Sequence, residues 1–363
     1  MKITDIKIGS ISVPLKTPFK TALRTVNSVN DIIVKIITDT GHIGYGEAAP
    51  TGVITGDTAG AIIGAIEDHI RPAITGLDIE NLEKIMLNLH GSIVKNSSAK
   101  AAVDIAVYDL FGQLHGAPVY KLLGGHGKEI TTDITISVNG PEEMAEDSRN
   151  AVNSGYTTLK IKVGKDVKKD LARMKTIRKA VGPHVRLRID ANQGWTPKEA
   201  VLTLRKMEDA GIEIEFVEQP VQAHDIDGLK HVTDNVSIPT LADESLFSPM
   251  DAIRILERRA ADLINIKLMK SGGIHNALKI TSIAEVYGVE CMIGCMLEAK
   301  VSVTAAAHLG AAKSIITRID LDGPVLCSED PVIGGAVFNE SKIVLGDEPG
   351  FGIHDITGIV YRR

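Results

Sequence analysis

The chain has 363 residues, of which 44% are hydrophobic and 24% charged. That is enough for one large or two ordinary cores, and too apolar for a disordered chain. A formal net charge of −6 gives no basis for a nucleic-acid partner, and no apolar run reaches the roughly 20 residues of a membrane span. Three cysteines, Cys291, Cys295 and Cys327, are too few for a disulfide framework and fit a reducing compartment.

The opening segment "MKITDIKIGSISV" alternates as a strand does and carries no signal-peptide core, so a cytoplasmic protein is expected. "KITDIKIGSISVPL" and "DIIVKIITD" read as two strands, followed by helical stretches around 58–75 and 98–115. Residues 1–125 are therefore expected to form a separate α+β domain. Two longer connections, "LKTPFKTALRTVNS" (15–28) and "GEAAPTGVITGDT" (46–58), have the length and composition of loops that cover a site.

From residue 130 the pattern becomes periodic. Strand-like runs recur at 133–139, 158–164, 185–192, 214–220, 238–245, 263–269, 290–296 and 315–321. Their spacing of roughly 25 residues is that of one βα unit. The intervening helices carry their own punctuation. Pro141 opens one and Gly155 closes it; Thr196 caps another, with Pro197 in its first turn and Gly211 at its end. Eight even βα units predict an α/β fold of the (β/α)8 TIM-barrel type over 126–323. The remaining 324–363, including the strand pair expected in "VFNESKIVL", is expected to pack back toward the N-terminal domain.

The run "TLKIKVG" (158–164) then acquires a direction. Helices cover the outside of a parallel barrel, so its outer strand face must be apolar. Leu159, Ile161 and Val163 take that face, and Lys160 and Lys162 point inward near the C-terminal rim, where barrel enzymes place their chemistry. The other strands offer Asp190, Glu218, Asp243, Lys267, and Asp320 with Asp322 at the same rim.

Asp190, Glu218 and Asp243 lie on three adjacent strands. Carboxylates converging there repel unless a cation sits among them. An all-oxygen set selects a hard ion, Mg²⁺ with Mn²⁺ as the alternative, and lacks the His or Cys that zinc prefers. Cys291 and Cys295, at the edges of an apolar run, read as core packing rather than metal ligands. Lys162 and Lys267 stand four strands apart, hence face to face across the barrel. Opposed amines suit removal of a proton from one face of a carbon next to a carboxylate and its return on the other, with a metal stabilising the enediolate. A lysine base must be neutral near pH 7; the positive charge of Lys160 and of the ion would push Lys162 that way. No organic cofactor is called for.

The motifs "KIK" (160–162), "DAN" (190–192), "EQP" (218–220), "ADES" (242–245) and "NIKLMKSGG" (265–273) together resemble the enolase superfamily, in its muconate lactonizing enzyme subgroup, over essentially the whole chain. The resemblance implies an enolase-like modified barrel with an N-terminal capping domain, Lys162 and Lys267 as the acid/base pair, and Asp190, Glu218 and Asp243 as Mg²⁺ ligands. Its members include cycloisomerases, succinylbenzoate synthases, N-succinylamino acid racemases and dipeptide epimerases, which share this rim. In "RIDLDGP" (318–324), Asp320 and Asp322 share a face on the strand opposite Glu218. A substrate with its carboxylate on the metal would extend a cationic end toward them. The pair is similar to the "DxD" with which dipeptide epimerases hold the free α-ammonium. By the same match Thr135, Lys160, Cys295 and Leu297 flank the dipeptide, and Arg24 resembles the arginine that meets the Glu side chain in L-Ala-D/L-Glu epimerases. The implied activity is epimerisation of a dipeptide at the α-carbon of its C-terminal residue, with Ala-Glu as the expected substrate. Related epimerases accept hydrophobic or cationic dipeptides. The alternative is a succinylbenzoate synthase, N-succinylamino acid racemase or cycloisomerase, whose substrate offers no ammonium. A barrel that only binds small molecules would have no use for opposed lysines. A homo-oligomer is compatible with the sequence, which does not fix the assembly.

Overall fold

The computed structural model describes residues 1–164 and 166–362. Three antiparallel strands open the chain: β1 (Ile3–Lys20), β2 (Thr25–Thr38) and β3 (Ile43–Ala48). The C-terminal pair Val360–Tyr361 adds a fourth strand on the outer side of β1. The segment 15–28, expected as a loop, is largely the tip of the β1–β2 hairpin. Pairing slips between Pro14 and Phe19, then resumes at Phe19–Val26 and Lys20–Thr25. Pro14 and Pro18 lack the N–H that a regular ladder needs, which accounts for the irregularity.

Helices cover one face of this sheet. Residues 59–74 are helical with a π turn at Ala65–Ile70; α1 (Leu82–Gly91) and α2 (Ser97–Leu114) follow. Helix α2 is buried nearly all round, as a helix between two domains must be. It lies directly on β3, and two glycines make that approach feasible. A Cβ on Gly44 would stand 2.2 Å from Ala106 O, and one on Gly46 1.8 Å from Ala102 O.

The barrel strands are β4 (Ile134–Ile136), β5 (Thr158–Lys162), β6 (Arg186–Asp190), β7 (Val217–Glu218), β8 (Thr240–Ala242), β9 (Leu263–Lys267), β10 (Cys291–Gly294) and β11 (Ile316–Asp320). All neighbours pair in parallel, in chain order. The strands are shorter than their sequence runs because the rim turns sharply: Asn192, Gln193 and Gln219 all have positive φ, which ends the ladder just past Asp190 and Glu218. β11 and β4 share no ladder. Their seam is held by Asp133 N–H to Ile319 O (3.3 Å), Leu321 N–H to Thr132 Oγ1 (2.8 Å) and Thr135 N–H to Asp322 Oδ2 (2.7 Å).

Helices α3 (Pro141–Asn153), α4 (Val167–Val181), α5 (Pro197–Asp209), α6 (Ile226–Thr233), α7 (Pro249–Glu257), α8 (Ile274–Tyr287) and α9 (Lys300–Ala312) form the outer layer. α5 starts with the expected cap, a full capping box between Thr196 and Glu199. Inside, the floor is divided. Phe216, Leu241, Leu263 and Met292 form an apolar plug, while Arg188 is held by Asp133 (2.7 Å) and Glu215 (2.8 Å). Val337–Asn339 and Lys342–Val344 pair as a hairpin, against Glu129–Thr131.

Gly46→Ala forces a methyl into the carbonyl of Ala102, so an overpacking loss of about 2–3 kcal/mol is expected. Urea denaturation with an unchanged m-value would register it; wild-type stability would contradict the direct β3–α2 contact.

Candidate active site

The rim side chains leave the ends of consecutive strands. Register sets Lys162 beside Asp190 and Asp190 beside Glu218; Asp243 directly follows β8, and Lys267 ends β9. Asp190, Glu218 and Asp243 are fully buried, and Lys160, Lys162 and Lys267 nearly so. Lys162 Nζ donates to Asp190 Oδ2 at 2.6 Å and Lys267 Nζ to Asp243 Oδ2 at 2.9 Å. Lys160, two residues nearer the floor, has Nζ at 2.7 Å from Asp320 Oδ2, 2.7 Å from Glu218 Oε2 and 3.3 Å from Asp190 Oδ2.

Burial alone would lower the affinity of Lys160 for its proton. Asp320, Glu218 and Asp190 outweigh it and hold the ammonium well above the usual lysine range. Lys267 is raised in the same way, chiefly by Asp243. Lys160 was expected to act on Lys162 as a repelling charge; it is foremost the counter-ion of three carboxylates. On the acid side, burial works against ionisation of Asp320, but Lys160 overrides it and keeps the group at about 2. Asp322 is raised, by burial and by Asp320.

Nine of the residues singled out in the sequence line one cavity: Arg24, Thr135, Lys160, Lys162, Lys267, Cys295, Leu297, Asp320 and Asp322. Asp190, Glu218 and Asp243 lie behind the lysines. Cys295 is buried at the cavity wall, and Cys291 lies in the core. The same cavity is lined by Phe19, Thr21, Leu23, Val53, Ile54, Asn192 and Met296, which the sequence reading did not name individually. Five of them come from the two loops marked as covers, so the signal was there at segment level. The Phe19 ring lies 5.9 Å from Lys162 Nζ, within cation–π range.

Two supporting residues also went unread. Lys270 donates to the backbone O and Oδ1 of Asp243 and to Asn265 O (3.1 Å). Asn265 in turn donates to Glu218 Oε1 at 2.9 Å. Both fall inside "NIKLMKSGG", where an inward lysine three residues beyond Lys267 could have been noticed.

The three carboxylates, expected on one arc of the rim, leave three adjacent strand ends there. Among the described residues, no three or more His, Cys, Asp or Glu side chains form a ready metal cage, because each acid turns to an ammonium. The donor set nevertheless fits a hard divalent cation. It is all oxygen. Glu218 Oε2 and Asn265 Oδ1 are buried without a hydrogen bond, since Lys160 approaches Glu218 Oε2 off the line of one. Burial, then Asp190, push the Glu218 carboxyl up to about 8 against the pull of Lys160.

Two family models cover most of the chain. "Mandelate racemase / muconate lactonizing enzyme, N-terminal domain" matches residues 3–124, and "Enolase C-terminal domain-like" matches 143–354. The chain belongs to the mandelate racemase/muconate lactonizing enzyme family of the enolase superfamily. Within that family it is 66% identical to an L-Ala-D/L-Glu epimerase of Clostridium acetobutylicum, over 98% of this chain and 99% of the relative. The substrate-liganded L-Ala-D/L-Glu epimerase of Bacillus subtilis superimposes with a TM-score of 0.97 at 51% identity, over 98% and 100% of the two chains. A dipeptide epimerase of Enterococcus faecalis, complexed with Mg and L-Leu-L-Tyr, superimposes with a TM-score of 0.95 at 45% identity, over 98% and 100%. Among the described residues, no helix of this family member is long and apolar enough to cross a membrane.

Lys270→Met would leave the buried Asp243 carboxylate short of one partner. Breaking a buried ion pair from one side costs about 3–5 kcal/mol. A loss of that size is expected in urea unfolding with chelator present; a stability unchanged within error would show that Lys267 alone satisfies Asp243.

Proposed function

We propose that the protein is a Mg²⁺-dependent dipeptide epimerase that inverts the α-carbon of the C-terminal residue, with L-Ala-D/L-Glu as its substrate. The observation carrying this reading is the composition of one cavity: two lysines from strands four apart, and an acidic pair on its wall. Asp190, Glu218 and Asp243 would hold Mg²⁺, or Mn²⁺ in its place. Bound there, the ion supplies positive charge to the substrate carboxylate as negative charge builds on it.

The chain's own residues do the rest. Lys162 and Lys267 approach the α-carbon from opposite faces; one removes the proton and the other returns one on the far side. Asp190 and Asp243 hold the two ammoniums in place by hydrogen bonds, and whichever lysine serves as base must first lose its proton. Asp320 and Asp322 receive the free α-ammonium, with Asp322 fixed by the Thr135 amide. Thr135, Cys295 and Leu297 bound the dipeptide laterally. Arg24, half-buried at the hairpin tip, faces the same cavity and meets the Glu side chain. Burial lowers its affinity for its proton, partly offset by Asp31, so a substrate carboxylate would be a welcome counter-ion. No organic cofactor enters this scheme.

Lys162→Ala and Lys267→Ala should each abolish epimerisation. In D₂O, one of them should still exchange the α-hydrogen of a single stereoisomer, detected by mass spectrometry. Epimerisation by either variant at near wild-type rate would eliminate the two-base scheme. Chelation should collapse activity and Mg²⁺ restore it, whereas full activity in metal-free buffer would remove the cation from the reaction.

Substrate class is tested at the acidic pair. N-acetylation of the dipeptide removes the ammonium and leaves desolvated carboxylates unpaired, so kcat/KM should fall at least about a hundredfold, roughly 2.7 kcal/mol. Arg24→Ala should depress Ala-Glu turnover and spare dipeptides with apolar C-terminal residues. Faster turnover of an N-succinyl amino acid than of any free dipeptide would move the assignment to the racemase branch.

A further inference from the structure

The wall of the cavity formed by Met296 and Leu297 lies between β10 and α9, and its anchoring involves acids with no role in the scheme above. Glu298 Oε1 accepts the Met296 N–H at 2.6 Å, and Glu298 Oε2 is hydrogen-bonded to Ser302 Oγ. Ser302 Oγ also lies 3.0 Å from Glu47 Oε2, and the Ser302 N–H donates to that oxygen at 2.8 Å. Ala299, the N-cap residue of α9, has no side-chain acceptor to offer. Its own N–H goes instead to Glu47 Oε1 (2.9 Å) and Asp31 Oδ2 (3.2 Å), across from the N-terminal domain. Glu298, Glu47, Asp31 and Ser302 are all at most 2% exposed.

Hydrogen counting requires a proton on one of the two acids that meet Ser302. Ser302 has one hydroxyl hydrogen, yet its oxygen contacts two carboxyl oxygens. With both acids ionised, one contact would set lone pair against lone pair. Glu47 already accepts two peptide N–H groups, and its Oε2, which takes the Ser302 N–H, is placed to accept the Ser302 hydroxyl hydrogen as well. A proton on Glu298 Oε2 accounts for both Ser302 contacts: Glu298 donates to Ser302 Oγ, and Ser302 donates to Glu47 Oε2. Burial pushes the Glu298 carboxyl up to about 7, in the same direction. The other ionisable groups around it are Asp31 on β2, Glu47 on β3, Lys267 on β9 and the thiol of Cys295, with the Cys327 thiol beyond, next to Glu47 and Asp31.

We propose that Glu298 is a positioning residue. As a neutral acid it holds the Met296–Leu297 wall by its peptide N–H and ties that wall, through Ser302, to Glu47 of the N-terminal domain. Gly323, next to Asp322, packs on the backbone of the same segment: a Cβ there would stand 2.8 Å from Glu298 O. The consequence for catalysis rests on the dipeptide reading; the anchoring itself does not.

The test pairs Glu298→Ala with Glu298→Gln, because glutamine is the neutral isostere that can accept from Met296 and donate to Ser302. Amide exchange over 295–298, measured without substrate, should accelerate at least about tenfold in Glu298→Ala and stay within about twofold of wild type in Glu298→Gln. With dipeptide, KM should rise about tenfold in Glu298→Ala, with kcat within about threefold, and Glu298→Gln should restore both. Unchanged exchange in Glu298→Ala, or a Gln variant as damaged as Ala, overturns the proposal. If Glu298→Ala does not fold, Ser302→Ala carries the same exchange expectation at about threefold, and wild-type exchange there overturns it. A wild type that turns over no dipeptide defeats the epimerase reading alone, and amide exchange then decides on Glu298.

Discussion

Lys160 is the interaction around which the barrel interior is organised. One ammonium, nearly without solvent, meets acids from three strands: Asp190, Glu218 and Asp320. Removing any one of these acids unbalances the others, because a buried charge without a partner costs several kcal/mol. The site is therefore a single electrostatic unit. Lys162 continues the alternation of charge outward beside Asp190, and Lys267 beside a fourth acid, Asp243, which Lys270 closes from behind.

The barrel was legible because its outer faces must be apolar. Leu159, Ile161 and Val163 are fully buried, and their alternation fixed the inward direction of Lys160 and Lys162. Helix α5 was legible at its start because Thr196, Pro197 and Glu199 act locally. Strand ends were less so: the run 214–220 contributes only Val217–Glu218, since Gln219 takes a left-handed conformation that no period announces. The pairing of charges within the site was hidden for a related reason. Sequence spacing places Lys160 near Lys162, but only the folded arrangement shows that three carboxylates claim it. Glu47 and Glu298 are remote in sequence, and nothing local signals that one caps the helix next to the other.

The floor beneath the site divides its labour unevenly. Phe216, Leu241, Leu263 and Met292 fill one half with ordinary core, while Arg188, Asp133, Glu215 and Arg318 occupy the other with linked ion pairs. The ionic half lies under β4, β6 and β11, the side where the ladder is open. Charged groups that reach across can tie strands whose backbones do not pair, at the cost of desolvation that an apolar filling would avoid.

That open seam has a consequence for how such a protein can change. Thr135 N–H has Asp322 Oδ2 as its acceptor, at 2.7 Å, in the place where a neighbouring strand would normally supply a carbonyl. One carboxylate thus serves as a stitch in the barrel wall as well as a feature of the cavity. A residue at 322 that suited a different ligand but accepted no hydrogen bond would leave a buried amide unsatisfied, a burden of about 1–3 kcal/mol. Divergence at this position is therefore channelled: Asn or a similar acceptor is reachable in one step, whereas an apolar residue requires β4 to be secured elsewhere first.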